Sequence, residues 1–329
     1  MRFRGRSLYN SLQISAREED ALDVEPWQIL DYRQVADSYL YQRLAALQIS
    51  VTEQHFLLYA ANSDGPEELL DCLWWQEEEG SSEQEEAYLL IFELWRRLLP
   101  TRRSVSIFFD DIDFAIAQFD EEEASSEELV ELLFELEEIL RQGREQGMDP
   151  QQVFSMLAEY AAQDVEQFLY DYILHVLEEE DGLLASTLIE MFEEYIPEKK
   201  WFDLLQVYLL VAFDSDKALS ALCQILEEEK ERSSADIPFL EEVFIFILCA
   251  EEVPLLTQGI GLLVECLYTE QDRKEFLEAI LEDCSSLGLD SLQESLQDLV
   301  QGECILTKRL TEADHRALEN FFLSRLLVL

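Results

Sequence analysis

Apolar side chains recur at every third and fourth position through the second half of this sequence, and this spacing constrains the fold most. One such stripe consists of Val165, Phe168, Leu169, Tyr172, Ile173, Val176 and Leu177. Residues spaced in this way lie on one face of an α-helix. The 10 glycines and 7 prolines in 329 residues leave few positions for the tight turns of a sheet protein. The pattern therefore predicts an all-α fold.

The predicted helices are joined by short links, and helices connected in this way pack antiparallel. Two architectures fit, an irregular antiparallel helical bundle and an α-solenoid of helix pairs. Residues 105–109 also suit a short strand by composition, although we favour a helix. Ser82 has a glutamate three positions later, Glu85, as in a capping box. Ser125 and Glu128 repeat that spacing, so we predict helix starts at both serines.

Composition divides the chain into three parts. Residues 1–25 are polar and weakly patterned, which predicts a flexible N-terminal tail. Residues 26–147 contain helical segments interrupted by charged breaks, and we predict an N-terminal helical domain there. The regular apolar spacing of residues 148–329 predicts a C-terminal helical array.

The chain has 72 acidic and 23 basic residues and a formal net charge of −49. Such a charge repels nucleic acid and anionic membranes, because binding them requires Lys and Arg. It attracts basic proteins, although the same acids also suit a surface that only keeps an apolar protein dissolved. No apolar run reaches the roughly 18 residues of a membrane span. We therefore expect protein partners with basic surfaces, no nucleic acid and no membrane span.

The six cysteines are widely spaced and include no CxxC pair. Lone cysteines in apolar helical runs usually act as small buried hydrophobic residues, which fits a reducing compartment. The basic start of the chain has no apolar run after it, so it does not read as a secretory signal peptide. We expect a cytoplasmic protein, with secretion by a signal-peptide-independent route as the alternative.

Motifs for catalysis or cofactor binding are missing from the sequence. It contains no GxxxxGK[ST], GxGxxG or GxSxG segment. A di-iron carboxylate bundle needs two Glu-x-x-His pairs, but only Glu312 and His315 have that spacing, and His55 and His175 lack it. We predict no cofactor and no enzymatic activity.

Three aspartates, Asp110, Asp111 and Asp113, follow an apolar run and could in principle bind a metal ion. They lack the glycine and the distal glutamate of a calcium-binding loop, and they continue directly into another apolar segment. We interpret them as a solvent-exposed helix face.

The candidate partner-binding residues form one basic and aromatic segment. Four arginines occur within eight positions around Pro100, namely Arg96, Arg97, Arg102 and Arg103. They either neutralise the acidic breaks at 77–86 and 120–128 or form a hook for an acidic partner. Three tryptophans nearby either supply aromatic anchors or belong to the core, namely Trp74, Trp75 and Trp95.

One stretch has a more specific pattern, DPQQVFSMLAEYAAQDVEQFLYDYILHVLEEEDGLLASTLIEMFEEY. A helix begins at Asp149 and Pro150, a long aromatic-rich helix follows, and a third helix ends near Tyr195. This order resembles the first helical bundle of the type III secretion gatekeeper family. Residues 261–284, GLLVECLYTEQDRKEFLEAILEDC, are more faintly similar to that family's C-terminal region. The resemblance implies a helical protein that binds a secretion chaperone and the export apparatus and controls when substrates leave.

These observations support three functional hypotheses. The first is a non-enzymatic interaction protein or regulatory adaptor with an acidic helical surface, and gatekeeping of secretion is one form of it. The second is a nucleic-acid mimic that inhibits a basic protein, which requires carboxylates spaced like phosphates. The third is an enzyme with no recognisable motif.

Overall fold

The computed structural model describes residues 5–18, 23–75, 80–120, 126–250, 252–286, 290–300 and 308–327. These residues form seventeen α-helices and one short 3-10 helix, and their only β pairing is an isolated bridge between Thr269 and Arg309. The predicted all-α fold is confirmed, and residues 105–109 are helical. None of the described helices is both long and apolar enough to cross a membrane.

The first of two compact units is Met1–Leu169. Its described elements are α1 Ser7–Glu18, a 3-10 turn Tyr32–Gln34, α2 Asp37–Ala46, α3 Glu53–Ala60, α4 Pro66–Leu73, α5 Ser82–Leu98, α6 Val105–Asp120, α7 Ser126–Glu145, α8 Pro150–Ala158 and the beginning of α9 Val165–Glu178. The division between the two compact units falls inside α9, and α8 packs against α7 within the first unit.

Helix α5 is the centre of the first unit. All ten residues from 86 to 95 are buried, and α2, α4 and the 3-10 turn pack around them. A helix buried on every side must find partners for its polar side chains, because an unpaired buried charge is costly. Ser81 caps α5 by accepting the N–H of Gln84, so the cap lies one position before the predicted Ser82. The predicted cap at Ser125 lies outside the described residues.

The N-terminal segment differs from the flexible tail predicted for residues 1–25. Residues 7–18 form α1, which packs against α6 and buries Tyr9 and Asn10. The buried side of α1 includes polar residues whose partners lie about 100 positions away in the sequence. The spacing of apolar residues therefore could not reveal this helix. Residues 1–4 and 19–22 are outside the described part of the chain.

The second unit is Tyr170–Leu329. It contains the remainder of α9 and the helices α10 Gly182–Phe192, α11 Lys199–Val211, α12 Ser215–Lys230, α13 Ile237–Cys249, α14 Val253–Glu265, α15 Glu270–Ser286, α16 Asp290–Val300 and α17 Glu312–Leu326. Successive helices pair, α11 with α12, α13 with α14 and α15 with α16. Helices α11, α13 and α15 are neighbours in one layer, and α12, α14 and α17 are neighbours in another.

Aromatic side chains fill the space between these layers. Phe244 of α13 contacts Phe276 of α15 and Phe322 of α17, with ring centroids 5.8 and 5.2 Å apart. Stacked helix pairs around a continuous apolar core are an α-solenoid. The second unit is therefore a stack of helix pairs around one apolar core, as an all-α bundle or solenoid requires.

Candidate functional site

The first two arginines of the predicted docking segment bind a buried carboxylate. Glu93 of α5 is fully buried, and it accepts hydrogen bonds from Arg96 at 2.6 Å and Arg97 at 2.5 Å. Arg97 also pairs with Asp37 and donates to the carbonyl oxygen of Tyr32. These arginines therefore compensate a charge inside the unit, because Glu93 could not be buried unpaired.

Arg102 and Trp95 are joined to each other. The guanidinium of Arg102 lies 5.2 Å from the centre of the Trp95 ring, and the Trp95 Nε1 donates to the Arg102 carbonyl oxygen at 2.8 Å. Arg102 also donates to the carbonyl oxygens of Ala60 and Ser63, at the end of α3. Trp95 is thus a core residue, and Arg102 caps a helix C-terminus.

The remaining predicted residues are more exposed. Arg103 pairs with Glu135 at 2.7 Å and Asp111 at 3.2 Å, which links α6 to α7. Trp74 is half-buried, whereas Trp75 is 68% exposed. Among the described residues, the acidic partners of Arg96, Arg97 and Arg103 are Glu93, Asp37, Asp111 and Glu135. Residues 77–79 and 121–125 of the acidic breaks lie outside the described part of the chain. The predicted docking segment lies within the first unit, and the guanidinium groups of its four arginines already bind other groups of that unit.

The interpretation of the three α6 aspartates as a solvent-exposed face is wrong. Asp110 is 4% exposed, and its carboxylate lies 3.1 Å from the Arg6 Nε and 2.6 Å from the Arg33 Nη2. Burial acts to raise the pKa of Asp110, but Arg6 and Arg33 outweigh it, so the pKa is lowered. Asp111 is half-buried between Arg33 and Arg103. Asp110 is therefore the anionic centre that holds α1 and the 3-10 turn on α6.

Asp113 is buried in a different environment. Its carboxylate accepts hydrogen bonds from the Asn10 side chain and from the backbone N–H groups of Ala162 and Gln163. Burial raises the pKa of Asp113 to about 6, although these hydrogen bonds act to lower it. The contacts are structural, because they join α1 and the segment before α9 to α6.

The raised pKa of Asp113 predicts a pH dependence of stability. The folded state binds a proton more tightly than the unfolded chain, so the unfolding free energy should rise as pH falls from about 6 towards 4. Between pH 7.5 and pH 5 the gain should be about 1 kcal/mol, and Asp113→Asn should lack it. Urea unfolding of both proteins at the two pH values measures the difference. If the unfolding free energies of the two proteins differed by the same amount at both pH values, the raised pKa could not belong to Asp113.

The strongest candidate for binding another protein is an apolar edge of the second unit. Leu183 is 82% exposed, Phe213 78% and Val253 59%. They lie at the turns that join α9 to α10, α11 to α12 and α13 to α14, and we call them the apolar ridge. Scattered exposed apolar residues are normal, whereas contiguous ones indicate interaction sites.

Two contacts show that the three turns are neighbours. The ring of Phe213 lies close to Gly182, since a methyl group added at Gly182 would be 3.8 Å from Cζ of Phe213. The first turn therefore lies against the second. The hydroxyl of Ser215 donates to Glu252 Oε1 at 3.2 Å, which joins the second turn to the third. The ridge therefore follows one edge of the stacked helix pairs.

Carboxylates frame the apolar ridge. Asp181 and Asp214 cap α10 and α12 by accepting backbone N–H groups. Lys217 is paired with Asp214 at 2.8 Å. Among the described residues, the acids in or beside these three turns include Glu179, Glu180, Asp181, Asp214, Asp216 and Glu252.

Sequence reasoning missed the ridge, although a signal for it was present. The turn segments EEEDGL, AFDSD and EEVP each combine acids with a large apolar residue. Turns are normally polar, so a large apolar side chain at each of three alternate turns needs either a core contact or a partner. Only the structure shows that Leu183, Phe213 and Val253 have little cover from the core.

No group of three or more His, Cys, Asp and Glu side chains in the described ranges could hold a metal ion. Comparison of the chain with protein-family models, with curated proteins and with solved structures finds no match. A functional assignment therefore rests on the surfaces of this chain.

Proposed function

We propose that this protein is a helical adaptor without catalytic activity of its own, which binds a basic, apolar segment of a partner protein along the apolar ridge. The observation that carries the proposal is the exposure of Leu183, Phe213 and Val253 at three adjacent turns. Helix-pair arrays commonly present such extended surfaces to protein ligands.

The apolar contribution to binding is substantial but is not sufficient by itself. Covering a side chain of this size contributes about 1.5–3 kcal/mol, and the three ridge residues are mostly uncovered. Association itself costs at least about 4 kcal/mol of translational and rotational freedom. Three anchors therefore support binding only when the charges are also complementary.

The framing carboxylates specify the charge of the partner. Acidic residues outnumber basic ones in and beside the three turns, and the whole chain has a net charge of −49. A second copy of the chain would bring like charges together, which is costly. A segment rich in Lys or Arg gains attraction and faster association instead.

The spacing of the turns favours a helical segment. Packed helices lie about 8–10 Å apart, so the ridge spans roughly 20 Å. A helix of about 18 residues is about 27 Å long and can contact all three positions. We therefore propose an amphipathic helix with leucine-like residues on one face and basic residues beside them.

Binding of a labelled amphipathic helix of leucine and lysine, followed by fluorescence anisotropy, tests this function. The variant L183S/F213S/V253S should bind at least tenfold more weakly, because it loses the apolar anchors. A peptide with serine in place of leucine should bind the wild type equally weakly. The control variant L58S/W75S removes exposed apolar residues from the first unit and should bind normally. Equal losses in both variants would contradict the proposal and would favour the predicted tryptophan surface.

Glu180 supplies a variant whose weaker binding cannot result from unfolding. Its φ is 61°, a conformation that glycine adopts more easily. Glu180→Gly should raise the unfolding free energy by up to about 1 kcal/mol, since it relieves the strain. The same variant should weaken the peptide about two- to fivefold by removing a framing charge. Unchanged affinity at low salt would show that this carboxylate does not contact the partner.

The gatekeeper resemblance is a narrower form of this proposal, with a secretion chaperone as the basic or apolar partner. Helix α8 begins at Asp149 and Pro150, and α9 and α10 follow in the order that the resemblance requires. Many helical proteins share that order, so the family relationship stays a prediction.

A further inference from the structure

A groove between α6 and α7 in the first unit has the composition of a second docking site. Its volume is about 350 Å³, which is near the lower end of ligand-binding cavities. Ala115, Leu129 and Leu132 supply apolar lining, and Phe114 lines it with a ring that is 47% exposed. The polar lining includes one cation, Arg103, and the acids Asp111, Glu128, Glu131 and Glu135.

The four carboxylates of the groove are not equivalent. Arg103 pairs with Asp111 and Glu135 at one end. Glu128 and Glu131 are exposed one turn apart on α7, and neither forms an ion pair within the described part of the chain. Like charges at this spacing repel, so an added cation would stabilise the pair. The apolar lining beside two unpaired carboxylates therefore fits a side chain with an apolar stem and a cationic end.

The first unit already contains this combination of groups. The guanidinium of Arg33 lies 4.6 Å from the centre of the Phe114 ring and binds Asp111 at 2.9 Å. The guanidinium of Arg103 lies 5.7 Å from the Phe108 ring and binds the same carboxylate. In both cases an arginine uses an aromatic ring together with a carboxylate of α6.

We propose that the α6–α7 groove binds an arginine side chain of a partner protein. The aliphatic stem lies along Leu132 and Phe114, and the guanidinium binds Glu128 and Glu131. Arginine is favoured over lysine because its planar group stacks on rings and donates to two carboxylate oxygens at once. The site is separate from the apolar ridge, so L183S/F213S/V253S should retain it.

Methyl NMR spectra of the full chain test the proposal. The probe is a blocked tetrapeptide of alanine, arginine, leucine and alanine, with citrulline and lysine versions as comparisons. Addition of the arginine peptide should shift the methyl signals of Leu132. The citrulline peptide has the same shape without the charge and should bind at least fivefold more weakly.

Matched variants identify the carboxylates. E128Q/E131Q should weaken the arginine peptide at least fivefold, whereas E227Q/E231Q removes the same charge from exposed positions of the second unit and should leave binding unchanged. No shift at Leu132, or equal weakening by both variants, would overturn the site. Equal binding of the lysine peptide would overturn the preference for arginine.

Discussion

Asp110→Asn should lower the unfolding free energy of the first unit by about 3–5 kcal/mol. The substitution keeps the shape of the side chain but removes the charge that lies between Arg6 and Arg33. Arg6 is only 3% exposed, so its guanidinium would stay buried without a compensating carboxylate. Small and medium domains have total stabilities of about 5–15 kcal/mol, so this loss would be a large fraction.

Asp111→Asn is the matched control for this prediction. It makes the same substitution at the next position of α6, where the carboxylate and its partners Arg33 and Arg103 are closer to solvent. Its effect should be about 1 kcal/mol or less, because solvent screens the pair. Urea unfolding can be followed by tryptophan fluorescence, since four of the five tryptophans belong to the first unit. Similar stability of Asp110→Asn and wild type would show that Asp110 does not hold α1 and the 3-10 turn.

Trp95→Ala should destabilise the first unit by about 3–5 kcal/mol, whereas Trp75→Ala should change stability by less than about 0.5 kcal/mol. Trp95 is fully buried and contacts Arg102 through both its ring and its Nε1. Trp75 is 68% exposed. The same substitution thus distinguishes a core residue from a surface residue within one predicted docking segment.

Thermal unfolding of both variants checks this difference, with circular dichroism as the signal. Trp95→Ala should unfold at a clearly lower temperature, and Trp75→Ala should overlay the wild type. If Trp95→Ala kept the wild-type stability, Trp95 would not be a core residue, and the predicted docking role for it would be restored.

The sequence predicted the helices well because their signals are local. The apolar stripe of α9 and the cap at Asp149 depend only on residues within a few turns, and the structure has both elements. The pairing of Arg96 and Arg97 with Glu93 also follows helix spacing and could have been read from the sequence.

Properties that depend on distant residues could not be read in the same way. Asp110 is buried because Asn10, 100 positions earlier, and Arg33 bind it. The exposure of Phe213 likewise depends on how the helix pairs stack, because the sequence does not show which side chains cover it. The apolar ridge could therefore be located only from the fold.

Hydrogen–deuterium exchange of the full chain, with and without the leucine and lysine helix, tests the central claim most directly. The proposal predicts slower exchange of backbone amides at 179–184, 211–216 and 252–256 at saturating peptide, and no such slowing in L183S/F213S/V253S. Slowing confined to other segments, or none at a concentration where anisotropy shows binding, would contradict docking along the apolar ridge.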